Sequence, residues 1–189
     1  AGEAPAATGS PPVYRGPAEQ AELWSRIEAY AFDKPGTFFT FERRLGRENG
    51  WSPDFAARAV QEYRKFVFLC MCEPPATPSF QVDQVWHLHL TFTRSYWEEF
   101  CLEVLPRPLH HDPTRGGPDE SRKFDKQYFA TIRCYHKYFG VPPVDLWPSP
   151  DIRFGHDTRY RWVSPDDYLL VPRPKFFVGE LLRRCQPAM

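Results

Sequence analysis

The chain has 189 residues, with 24 Lys plus Arg against 24 Asp plus Glu, so it carries no net charge and no chain-wide basic footprint for nucleic acid or an anionic membrane. That length suits one domain able to hide roughly 70% of the surface its unfolded chain would expose, so neither a metal nor a disulfide is needed simply to hold it together. Twenty-one prolines and 16% aromatic residues mark a chain of short, sharply ended elements.

Residues 1–17, rich in Ala, Gly and Pro, are expected to form a flexible or surface-hugging tail. From Pro17 the pattern turns helical: AEQAELWSRIEAYAF places Leu23, Ile27 and Tyr30 on one stripe beside Trp24 and Ala31, and DKPG breaks the run. TFFTFERRLGRENGW reads as a shorter helix ending near Gly50. Ser52 followed by Pro53 is an N-cap with proline at the first helical position; it opens a long helix halted by Pro74-Pro75. Thr77-Pro78 repeats the device and predicts a helix running to about Leu105. The loop PRPLHHDPTRGG follows, its PTRGG end read as a turn rather than a phosphate loop, and Pro118 starts a helix that Gly140 terminates.

The expected fold is all-α: a compact bundle of about five helices over 18–147, covered by an irregular Pro/aromatic-rich extension at 148–189 with a last helical turn at GELLRRC. The five cysteines form no C-x-x-C pair and read as small buried hydrophobes. No secretion signal is visible, and the longest apolar run, FVFLCMC at 66–72, is too short to span a bilayer. The expectation is a soluble, cytoplasmic protein that binds neither nucleic acid nor membrane.

Four of the six histidines fall in two groups, His87 with His89 and His110 with His111. At about 100° per residue, Asp83, His87, Arg94 and Glu98 line one polar stripe of the predicted helix, while Val82, Trp86, Leu90, Thr93 and Trp97 form an apolar stripe beside it. His89 points about 200° from His87, towards Val85, Phe92 and Tyr96, so on a regular helix the two cannot bind one ion. A carboxylate and an imidazole at i and i+4 suit a divalent metal, with His111 from the loop as third ligand and one coordination position left open; zinc, iron and manganese all accept such donors. Asp83, His87 and His111 are therefore the candidate metal ligands, and His89 and His110 the candidates for a second ligand or acid–base group. Arg94 and Tyr96 are candidate substrate-binding residues. The competing readings are that Asp83 merely fixes the His87 tautomer, that Arg94 pairs with Asp83 or Glu98, and that Tyr96 is a buried tyrosine bonded to the backbone. The spacing is not H-E-x-x-H, so a zincin protease is not indicated.

The run D-x-V-W-H-L-H-L-x-x-x-R-x-Y at 83–96, then Cys101, His110-His111-Asp112 and a helix ending Tyr138-Phe139-Gly140, resembles the glycine-rich domain-containing proteins named from plants, a family with bacterial and fungal members. The likeness covers roughly residues 55–147, although this chain has no glycine-rich tract. It implies that Asp83, His87, His89 and His111 belong to one functional unit and names no reaction.

Two functions follow as expectations. One is a metal-dependent enzyme acting on a small polar or anionic ligand. The other is a non-catalytic helical module in which the His/Asp cluster is structural and the aromatic, proline-rich C-terminal segment docks a protein partner.

Overall fold

The structure is a computed structural model, and the residues it describes are 14–112 and 118–155. Contacts divide the chain into 1–156 and 157–189; the second unit, with GELLRRC, Cys185 and most of the predicted extension, lies outside the described residues, as do PTRGG and residues 1–13 of the predicted tail. The described residues are helical and contain no strand, as expected of an all-α protein. The elements are α1 (Ala18–Ala29), α2 (Phe41–Asn49), α3 (Pro53–Cys72), α4 (Phe80–Thr91), a π-helical segment (Ser95–Val104), α5 (Pro118–Phe139) and α6 (Pro150–Gly155).

Side-chain caps set three of the starts. Thr40 accepts from the Arg43 amide, Ser52 from Phe55 and Ser79 from Val82, each satisfying a first-turn N–H that has no partner inside its helix. Gly50 and Gly140 end α2 and α5 with φ of 67° and 82°, a region in which side chains with a Cβ are strained.

Three boundaries differ from the sequence reading. The helix expected from Thr77 is capped by Ser79 instead, because Thr77 is engaged elsewhere: its amide donates to Thr131 Oγ1 at 2.9 Å and its hydroxyl to Gln127 Oε1 at 3.2 Å, tying it to α5. That helix also does not run unbroken to Leu105. It breaks at Phe92 (φ −86°, ψ 59°) and resumes with π-type i→i+5 bonding, so the predicted stripes do not continue past Thr91. Finally, α6 is a helix within the stretch expected to be irregular. Ser149-Pro150-Asp151 repeats Ser52-Pro53-Asp54, and the Ser149 carbonyl accepts from the Ile152 and Arg153 amides.

The hub is α3, which packs against α1, α2, α4 and α5. Tyr63, Phe66, Val67, Phe68 and Leu69 are fully buried, and each such side chain contributes about 1.5–3 kcal/mol relative to exposure. Around Phe68 the rings of Tyr14, Trp24, Tyr138 and Phe139 meet at mostly edge-to-face angles, so Tyr14, inside the predicted tail, packs on the bundle. Buried charge also crosslinks the elements. Lys65 Nζ donates to Glu62 Oε1 at 2.7 Å and to the Tyr135 hydroxyl at 2.9 Å, and Trp147 Nε1 donates to Glu62 Oε2 at 2.8 Å. Arg64 donates to the Ile27 carbonyl at 2.7 Å, closing the end of α1, while its guanidinium lies over Phe32.

Cys70 and Cys101 are buried, Cys72 and Cys134 half-buried, and all four are free thiols. Burial pushes the Cys72 thiol up to about 11, which suits packing better than reactivity. No helix among the described residues is long and apolar enough to cross a membrane.

Candidate metal centre

Helix α4 supplies two of the three donors. Asp83 and His87 sit one turn apart, so their heads meet beside the helix, with His87 Nε2 3.7 Å from Asp83 Oδ2. The third arrives from the loop after the π-helical segment, where His111 Nε2 shares a hydrogen bond with Asp83 Oδ1 at 2.9 Å. The two imidazole rings lie 4.7 Å apart, and one ligand atom from each of the three residues falls within 4.8 Å of the other two. Asp83 and His111 are about four-fifths buried, whereas the His87 side chain is half exposed, so the cluster opens to solvent on the His87 side.

The loop is held by Tyr96, in keeping with the competing reading of a buried tyrosine bonded to the backbone, and by Arg107, which the sequence did not flag. Tyr96 is fully buried; its hydroxyl donates to the Leu109 carbonyl and accepts from Trp86 Nε1 at 2.9 Å. Arg107 donates to the Cys70 carbonyl at 2.6 Å, tying the loop to the end of α3. The Trp86 ring meets His111 edge-on at 4.4 Å and walls the cluster on its core side. The visible signal was P-R-P-L ahead of the His pair: an arginine between prolines on a stiff segment, followed by an apolar anchor.

Asp83 also sets the electrostatics. Its hydrogen bond raises the pKa of His111 above the ordinary histidine range, with partial burial opposing and the carboxylate charge assisting.

The other candidates are placed elsewhere. His89 lies on the core side of α4 with no exposed surface, at 4.9 Å from each of the rings of Phe32, Tyr96 and Phe100. Its Nδ1 shares a hydrogen bond with the Tyr63 hydroxyl at 3.1 Å, while Nε2 has no hydrogen-bond partner. Burial, assisted by the charge of Arg64, lowers its pKa to about 3, so it is neutral. His110 is exposed, its ring 5.3 Å from Trp97. Arg94 and Glu98 are exposed beyond the Phe92 break. Tyr96 turns its hydroxyl inward, to the loop backbone and Trp86.

Fold and cluster together define a protein whose described residues are helical and carry a His/Asp group that could hold a metal ion. Over 107 residues the chain is 24% identical to glycine-rich domain-containing protein 1 of Arabidopsis thaliana, at most a distant relationship. The matched stretch is 53% of this chain but 13% of that protein, so the chain spans a small fraction of the relative's length. No family model matches the chain, and no solved structure matches it.

Proposed function

We propose that the protein binds a divalent transition metal, Zn, Fe(II) or Mn, through Asp83, His87 and His111, and acts as a metal-dependent enzyme on a small polar or anionic substrate. The observation that carries this reading is the convergence of one carboxylate and two imidazole nitrogens within 4.8 Å on a partly exposed face. Bonds of about 2.0–2.2 Å to a shared ion set donors roughly 3–3.5 Å apart, and the separations of 2.9 and 3.7 Å bracket that spacing. The donor set suits the borderline metals, for which imidazole and carboxylate are ordinary ligands.

With three protein ligands, coordination positions remain on the exposed side of His87. A metal held there would polarise a bound water or substrate oxygen. The chain's own contribution is placement: the Nε2 atoms of His87 and His111 lie 3.7 and 2.9 Å from the two carboxylate oxygens of Asp83, and the Trp86 ring packs edge-on against His111.

A second reading rests on a specific observation. Tyr96, Arg107 and the Asp83–His111 hydrogen bond pin the loop through the chain's own groups, which favours a purely structural cluster. Elemental analysis and melting curves separate the two. Metal-dependent stabilisation of about 2.7 kcal/mol at a hundredfold excess over Kd, abolished in His87→Gln, supports the metal reading. Identical melting of both proteins with zinc, iron(II) and manganese, and after chelation, establishes the structural one.

A further inference from the structure

The sharpest unpartnered feature lies away from the metal cluster, in the connection between α1 and α2. Lys34–Thr37 is a tight turn closed by the Thr37 amide on the Lys34 carbonyl at 3.1 Å, with Pro35 and Gly36 at its centre and Gly36 at φ 85°. The Thr37 hydroxyl donates to the same carbonyl at 2.8 Å, and Arg43 Nη1 donates to the Phe38 carbonyl at 2.9 Å, so the turn is braced from both sides. At its end Phe38 is 88% exposed and Phe39 is 36% exposed. A braced turn that holds an aromatic ring in water has paid its ordering entropy before any partner arrives.

The surroundings decide which partner fits. Arg43 lies over Phe38 at 5.6 Å, and Arg44 and Arg47 lie over Phe39 at 5.0 and 5.9 Å. Two of the three nearby acids are engaged within the fold: Asp33 accepts from the Phe41 amide at the start of α2 and Glu48 is 3.7 Å from Arg44, while Glu42 is exposed. Lys34, Arg43 and Arg47 therefore form a basic collar behind the projecting rings, although the chain as a whole is neutral. Rings ahead and cations behind match the order met on entering an anionic lipid surface: headgroup charge outside, apolar boundary beneath. A flat apolar protein partner would not require the collar.

We propose that the Lys34–Phe39 turn and the first two turns of α2 dock on an anionic lipid surface, with Phe38 inserted at the acyl boundary and Lys34, Arg43 and Arg47 on the lipid phosphates. This inference is independent of the metal reading. The test is flotation of the full chain with vesicles of phosphatidylcholine alone or with about a third phosphatidylserine, at low and at physiological salt. Two variants sit on exposed positions, Phe38→Ser and Lys34→Gln/Arg47→Gln, and should melt as the wild type does.

The expected result is salt-sensitive binding to the anionic vesicles only. It should weaken about tenfold in Phe38→Ser and roughly fivefold per basic residue removed in the other variant. Three outcomes overturn the proposal: no flotation with anionic vesicles at low salt, binding that Phe38→Ser leaves unchanged, or equal binding to neutral vesicles. Capture of single-stranded oligouridine without flotation would also overturn it, assigning the same rings and arginines to base stacking instead.

Discussion

His89 makes the protein sensitive to mild acid in a way that can be isolated. The imidazole is fully buried among aromatic rings, with one nitrogen on Tyr63 and the other without a partner, and burial lowers its pKa to about 3. In the unfolded chain the same group titrates near 6.5. Above that value neither state carries the proton and His89 adds no pH dependence. As pH falls below it the unfolded state takes up a proton that the native state refuses, so native stability declines until pH approaches about 3. Each unit is worth about 1.4 kcal/mol, so the loss from about pH 6.5 to about pH 5 is roughly 2 kcal/mol. Raised His111 has the opposite sign: its stabilisation is present in acid and lost as pH rises through its folded pKa. A comparison with His89→Gln removes that background. The amide can still bond Tyr63 but does not titrate; the change should cost about 1–3 kcal/mol at neutral pH. Urea unfolding of both proteins should show their stability gap narrowing by about 2 kcal/mol between about pH 7 and about pH 5. Parallel curves over that range would refute the assignment of a neutral, dehydrated His89.

Tyr96→Phe removes the hydroxyl that holds the Leu109 carbonyl, and is expected to cost about 1–3 kcal/mol and to weaken metal binding by tenfold or more with Asp83, His87 and His111 all intact; melting curves and a zinc titration check both. Lys65→Met strands the Glu62 carboxylate in the core, for an expected loss of about 3–5 kcal/mol by urea unfolding, and Lys65→Met/Glu62→Leu should recover much of it.

The sequence made the helices legible where their ends were written in local chemistry. Ser52-Pro53, Gly50 and Gly140 act within one turn of the backbone they terminate, so no tertiary knowledge was needed. The failures are long-range. Thr77 looked like a cap but answers to Thr131 on α5, and nothing local in TFTRSYW announces the break at Phe92, which accompanies the turning of Tyr96 inward to Leu109. The cluster was legible to the same degree. The i, i+4 spacing placed Asp83 beside His87, and the reading that sent His89 to the opposite side of α4 matches its position. What periodicity could not supply was the anchoring of the loop by Tyr96 and Arg107, because a turn-rich stretch carries no register. Arg94 illustrates the same limit: its place on the stripe assumed a regular helix through Phe92.

The most direct test of the metal centre is long-range proton–nitrogen NMR of the histidine side chains during a zinc titration. With equimolar zinc, the Nε2 signals of His87 and His111 should move together, while His89, enclosed on the far side of α4, stays where it was. Asp83→Asn should abolish the change without unfolding the chain. Unmoved His87 and His111 signals at saturating zinc, or movement confined to exposed His110 and to His136 in the last turn of α5, would contradict the account.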